Sequence, residues 1–290
     1  MKLRLGLRYD LRAPSDPARL YSEILEHAAR ADAMGVDALW ISERPFAADA
    51  ALPAALPLCA ALAVRTHHAR VGTAVLPLPL YHPLRLAEDA ATIDGLSAGR
   101  FDLGLGLGGH AEAFDGFGVP MHARLARFDE SLRVLRLAFA EGPLRHAGEH
   151  YRFDGIEVWP KPLRTEGPPL WIGVGSDTIV RIAAQLADGA ITGSPAAAVA
   201  FLAAWREAGR APGAARVAVE VAGAADPDPA RARAALADTA SALGGDGELC
   251  LVVPVFDGMS APGPGLGLGL APLERLWADA WLPLRDARRV

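Results

Sequence analysis

Three groups of residues in this chain have types and spacings that could do chemistry. Glu43-Arg44 follows the apolar run Asp37 to Ser42, so a carboxyl group able to carry a proton stands beside a fixed positive charge. The two residues read either as a pocket pair or as an ion pair on a rim. His110 ends the run Gly104-Leu105-Gly106-Leu107-Gly108-Gly109-His110, whose glycines let a flat ligand or another backbone come close. Its imidazole suits a general acid or base near neutral pH, and a solvated loop histidine is the plainer alternative. The third group is Trp171-Ile172-Gly173-Val174-Gly175-Ser176-Asp177-Thr178, a strand that opens through glycines into a helix start. Unpaired N–H groups and the helix dipole make an anion site there, with the Ser176 and Thr178 hydroxyls as added donors. The alternative is that Ser176 or Asp177 simply caps the helix.

Other chemistries lack their residues. No His-Glu-x-x-His, Cys-x-x-Cys or Gly-x-Ser-x-Gly pattern occurs, so no metal site is expected. Cys59 and Cys250 lie in apolar runs and read as buried thiols rather than a disulfide framework. Net charge is −5, and no stripe of Lys and Arg offers a nucleic-acid surface. No signal-peptide pattern or uninterrupted span of about 18 apolar residues is present, which predicts a cytoplasmic chain without a membrane anchor.

Positioning these groups requires a scaffold, and one is legible. Short apolar runs alternate with helical stretches: Leu3 to Leu7, Asp37 to Ser42, Arg70 to Val75, Phe101 to Leu107, Leu170 to Val174, Gly189 to Thr192, Arg216 to Val221 and Glu248 to Val253. The first helix, Pro17 to Met34, spaces Leu20, Ile24, Ala28 and Ala31 by three or four, with Gly35 as its C-terminal glycine. Helices follow over Pro53–Val64, Pro83–Leu96, Arg124–Glu141, Asp177–Ala187, Pro195–Ala208, Pro229–Leu243 and Pro272–Leu284. Eight strand–helix units predict one α/β domain over residues 1–290, a (β/α)8 barrel with an extra β-like excursion, His150 to Val158, between strands four and five. The glycine run ending at His110 is expected to lead into a loop, and Gly258 to Pro272 reads as a loop after the last strand. Barrel chemistry sits at the C-terminal strand ends, which brings Arg8, Asp10, Tyr81, His82, Glu220 and Asp257 into view as well.

The ordered blocks Val71-Gly72-Thr73-Ala74-Val75-Leu76-Pro77, His82-Pro83, Asp94-Gly95-Leu96-Ser97-Ala98-Gly99-Arg100-Phe101-Asp102, Phe117-Gly118-Val119-Pro120, Arg127-Phe128-Asp129-Glu130, Pro160-Lys161-Pro162 and Ala187-Asp188-Gly189 resemble those of the bacterial luciferase-like monooxygenases. The resemblance implies a TIM barrel that binds reduced FMN, or the deazaflavin coenzyme F-420, at its C-terminal mouth. It implies a non-proline cis peptide at Ala74-Val75, with Ala74, Val75 and Gly106 against the ring and Gly175, Ser176 and Thr178 at the phosphate. With FMN the activity would be oxygenation of a small organic substrate, the flavin arriving reduced from a separate reductase; with the deazaflavin it would be hydride transfer. His110, Glu43 and Arg44 are then the candidates for proton transfer or substrate polarisation. A homodimer through the helices between Pro53 and Leu96 is also implied. Two positions depart from the pattern: Leu107 stands where FMN-binding members often have Arg, and Arg44-Pro45 where histidine often follows the Glu. Leu107 favours the deazaflavin; it also leaves a second reading, a barrel homologue that binds flavin without catalysis or binds no ligand.

Overall fold

A computed structural model describes residues 2–10, 17–47, 52–243, 247–255 and 270–287. The strands are β1 (Lys2–Tyr9), β2 (Ala38–Ile41), β3 (Arg70–Thr73), β4 (Leu76–Pro77), β5 (Phe101–Gly106), β6 (Leu144–Ala147), β7 (Arg152–Ile156), β8 (Leu170–Gly173), β9 (Gly189–Thr192), β10 (Arg216–Glu220) and β11 (Glu248–Val255). All but β6 and β7 pair in parallel in the order β3-β2-β1-β11-β10-β9-β8-β5-β4, and β3 also pairs with β5, so the sheet closes. Since β3 and β4 are two parts of one interrupted strand, this is an eight-stranded barrel. The helices α1 (Pro17–Met34), α2 (Ala55–Arg65), α3 (Pro83–Leu96), α4 (Ala111–Gly116), α5 (Arg124–Phe139), α6 (Asp177–Leu186), α7 (Pro195–Glu207) and α8 (Pro229–Ala242) follow in chain order. A last helical stretch runs through α9 (Leu270–Arg275), a π-helical segment (Leu276–Trp281) and α10 (Leu282–Ala287). No helix among the described residues is long and apolar enough to cross a membrane.

The expected elements differ from the observed ones in three places. The excursion is a two-stranded antiparallel hairpin, β6 with β7, rather than one β-like segment. A short helix, α4, follows His110 directly where a loop was expected; His110 occupies its N-cap position. The third strand breaks after Thr73, and the Ala74-Val75 peptide between its two parts is cis, as the resemblance implies. Asp257 and residues 258–269 of the Gly/Pro-rich stretch lie outside the described residues.

Alternation along each strand divides the core into two layers. Leu5, Leu7, Leu39, Ile41, Val71, Leu103 and Leu105 face outward into the large cluster beneath the helices, which Leu20, Ile24, Ala28 and Ala31 of α1 complete. The opposite parity faces the barrel interior, where Trp40, Trp171, Ala218, Cys250 and Val252 pack together. The rings of Trp40 and Trp171 meet edge to face at 5.2 Å. They fit because the neighbouring strands present no side chain: a Cβ on Gly72 would lie 2.7 Å from Trp40, and one on Gly189 2.6 Å from Trp171. At the N-terminal foot Arg70 grips Asp102 through Nε and Nη2 at 2.5 and 2.7 Å. Arg100 donates to the carbonyls of Ala63, Thr66 and Ala69, tying the end of α2 and the approach to β3 to the start of β5. The Gly-Arg-Phe-Asp block therefore does architectural work, at the end of the barrel opposite the mouth.

Candidate active site at the barrel mouth

Continuing the inward parity of β1 past Gly6 brings Arg8 to the C-terminal mouth. Its Nη1 donates to Ser42 Oγ at 2.9 Å and to Asp10 Oδ2 at 3.1 Å, and its Nη2 lies 2.6 Å from Glu220 Oε2. Ser42 Oγ in turn donates to the carbonyl of Ala74 at 3.3 Å. One guanidinium thus links β1, β10 and, through Ser42, the residue that begins the cis peptide. Arg44 reaches the same carboxylate, Nη2 to Asp10 Oδ2 at 3.2 Å.

Two cavities adjoin at this point. The larger, about 530 Å³, is lined by Ala74, Val75, Gly106, Leu107, Gly173, Gly175, Gly193 and Glu220 among others, with Trp40 also in its wall. Val75 projects into a notch between two strands: a Cβ on Gly106 would stand 2.5 Å from Val75 Cγ2, and one on Gly173 3.3 Å away. Those glycines make room for Val75 itself. Gly109, Gly175 and Gly193 are different, since a Cβ on any of them would meet nothing within 4 Å. Their missing side chains leave open space facing the cavity, which suits a flat ring.

The far end of a ring ligand would meet the start of α6. Gly175, Ser176 and Thr178 are exposed there, and Ser176 occupies the N-cap position without its side chain bonding a backbone N–H. Its hydroxyl is not engaged in capping, so the cap alternative does not use it. Arg8 is the one arginine among the described lining residues of this cavity, and its two terminal nitrogens are already bonded. An anion would be met by backbone N–H groups and hydroxyls alone, in keeping with Leu107 in the wall. The residues present fit a phosphate-bearing flat ring held by neutral donors.

The second cavity, about 240 Å³, shares Arg8, Ala74, Val75, Gly108 and Gly109 with the first and adds Glu43, Arg44 and His110. All three candidate chemical residues therefore line one space. Glu43 and Arg44 are neighbours in it but not an ion pair. Glu43 accepts from Tyr81 Oη at 2.7 Å and from the Ala55 N–H at 2.8 Å, while Arg44 turns to Asp10. Burial raises the pKa of the Glu43 carboxyl above the ordinary carboxylate range, against the opposing pull of the Ala55 and Tyr81 hydrogen bonds. His110 is exposed, and its backbone carbonyl, not its ring, serves α4. Pro77, Leu80, Ala113 and Phe114 supply apolar walls. No cluster of three or more potential metal ligands occurs among the described residues.

Arg8, Asp10, Tyr81 and Glu220 stood among the strand-end residues of the sequence without a role. What joins Arg8 to Glu220 is shared parity on β1 and β10, two strands separated by β11 in the sheet. For Arg8 and Glu220 the signal in the sequence is a charged residue of inward parity at the C-terminal end of its strand. His82 went elsewhere: its ring packs edge on against Tyr151 and Phe153 of the hairpin region.

The chain is similar to known proteins over part of its sequence and in its fold. A trigonelline monooxygenase oxygenase component of Acinetobacter baylyi is 31% identical over 156 residues, covering 53% of this chain and 43% of the relative. An F-420-dependent glucose-6-phosphate dehydrogenase of Nakamurella multipartita is 32% identical over 179 residues, covering 60% of this chain and 52% of the relative. The chain spans about half the length of the curated relatives it matches. The crystal structure of the monooxygenase RslO1 from Streptomyces bottropensis superposes with a TM-score of 0.81 at 22% identity, over 98% of this chain and 99% of that one, and so shares the fold. The sequence profile of the luciferase-like monooxygenases matches residues 1–278, and the chain belongs to that family.

Proposed function

We propose that this protein is an oxidoreductase that binds reduced FMN or coenzyme F-420 in the larger cavity and a small organic substrate in the smaller one. The observation that carries this reading is the junction itself: a glycine-opened cavity of about 530 Å³ meets, at Ala74-Val75, a second cavity holding an acid, an arginine and a histidine. When bound, the cofactor supplies two electrons, either with dioxygen, one oxygen atom entering the substrate and the other leaving as water, or as a hydride exchanged with the substrate. Ala74, Val75 and Gly106 support the ring; Gly175, Ser176 and Thr178 donate to the phosphate at the start of α6. Glu43, protonated more readily than an ordinary carboxyl, and His110 hold or move a proton at the substrate, and Arg44 orients it. Pro77, Leu80 and Phe114 exclude water from that side.

The family relatives include both cofactor types, and Leu107 in the cavity wall supports the deazaflavin over FMN. With FMN, a separate reductase would deliver the reduced flavin. A homodimer through α2 and α3 belongs to the same reading: Val64 and Leu96 are 60% and 48% exposed on these helices. Sedimentation should give twice the 30.4 kDa chain mass.

The test supplies reduced FMN through a flavin reductase in air, and reduced F-420 without oxygen, each with a panel of small carbonyl compounds. Substrate-dependent oxidation of one cofactor is expected. Binding without turnover of any substrate would favour the non-catalytic reading.

A further inference from the structure

The smaller cavity presents hydrogen-bond donors where its carboxylate acceptors are already engaged. Glu43 is the one acid among its described lining residues, and its Oε1 and Oε2 lie against Tyr81 Oη, with Oε2 also taking the Ala55 N–H. Arg44 is opposite in character. Only its Nη2 is bonded, to Asp10, while Nε and Nη1 make no hydrogen bond among the described residues, and the side chain is 30% exposed. The ring of His110 likewise has no hydrogen-bond partner among the described residues. Asp10 and Glu220, which balance the charges of Arg8 and Arg44, do not line this cavity. Arg8 and Arg44 line this cavity, while Glu220 lines the larger one beside it. Pro77, Leu80 and Phe114 supply hydrocarbon walls to this cavity of about 240 Å³.

Resting on the proposed oxidoreductase reading, we infer that this cavity selects small substrates bearing a carboxylate, and that Arg44 is the residue that binds it. Nε and Nη1, the donors of Arg44 that Asp10 does not take, can give a substrate carboxylate charge-assisted hydrogen bonds. The apolar walls then hold the rest of a short-chain or single-ring acid beside Val75, which lines both cavities. An alcohol or amide of the same shape would offer Nε and Nη1 of Arg44 no charged acceptor.

The experiment titrates benzoate and its uncharged isostere benzamide into the wild-type protein, Arg44→Gln and Arg44→Lys, by calorimetry, with thermal melts to verify folding. Wild type is expected to bind benzoate at least about tenfold more tightly than benzamide, the range of a charge-assisted hydrogen bond. Arg44→Gln should bring the two within about twofold, and Arg44→Lys should keep part of the preference because charge survives without the fork. Equal binding of acid and amide by wild type, binding of neither, or a preference that survives Arg44→Gln would each overturn the inference. FMN and F-420 are titrated into the same samples without probe. Cofactor binding without acid preference removes this inference alone. Acid preference without binding of either cofactor leaves the carboxylate site standing and removes the oxidoreductase reading.

Discussion

Arg8 Nη2 and Glu220 Oε2 lie 2.6 Å apart across the barrel mouth, joining the first strand to β10 over the intervening β11. The Arg8 side chain is 17% exposed and also holds Asp10, which is 5% exposed. It is a cation set in the wall common to both cavities. Through Ser42 it also braces the carbonyl of Ala74, where the third strand breaks.

Replacing Arg8 by Met strands Asp10 and Glu220 with less compensation. A stability loss of roughly 2 kcal/mol is expected, below the full cost of an uncompensated interior charge because Glu220 is one-third exposed. Adding Glu220→Gln should recover part of it. Urea unfolding of the single and double variants checks the coupling.

The two classes of mouth glycine should differ in their tolerance of alanine. Gly106→Ala drives a methyl to 2.5 Å from Val75 Cγ2, so about 1–3 kcal/mol of stability should be lost. Gly175→Ala meets nothing within 4 Å and should change stability by less than about 0.5 kcal/mol. Thermal melts of the two variants decide this.

Buried His27 carries a pH dependence. Its Nδ1 lies 2.9 Å from Tyr9 Oη, and burial lowers its pKa from 6.5 to about 4. The folded state therefore resists a proton that the unfolded chain accepts. This contribution is intact above pH 6.5, declines as pH falls, and is lost by pH 4, amounting to about 3 kcal/mol. His27→Gln should flatten that part of the stability curve, as denaturant titrations at pH 7.5, 5.5 and 4.5 would record.

The foot of the barrel should matter for folding and not for ligand. Asp102→Asn removes the charge that meets Arg70 inside the barrel, where Asp102 is 2% exposed, and should cost about 3 kcal/mol. Affinity for the cofactor should stay within about twofold, because Asp102 lies at the opposite end from the cavities. Parallel unfolding and binding titrations separate the two effects.

Much of this architecture was legible because local signals agreed. Pro17 and Pro83 begin α1 and α3, Gly35 follows α1 at a φ of +93°, and the observed bounds Pro17–Met34 and Pro83–Leu96 match the expected ones. The helix α4 was hidden because it is only six residues long and follows a glycine run, too short for a periodic pattern to show. The break in the third strand at Ala74-Val75 has no local signal, since Ala and Val continue an apolar strand; family resemblance alone implied it. The convergence of Glu43, Arg44 and His110 on one cavity follows from their strand-end positions. The partners they take, Tyr81, Ala55 and Asp10, depend on side-chain directions that composition and spacing do not carry.

The central claim is that the glycine-lined cavity holds a reduced ring cofactor, and the most direct measurement is an anaerobic titration of reduced FMN and reduced F-420 into wild type and Gly175→Val. The account predicts saturable binding of one of the two by wild type, weakened at least about tenfold in a Gly175→Val protein that melts at the same temperature. Failure of wild type to bind either cofactor, or equal affinity in the two proteins, would contradict it.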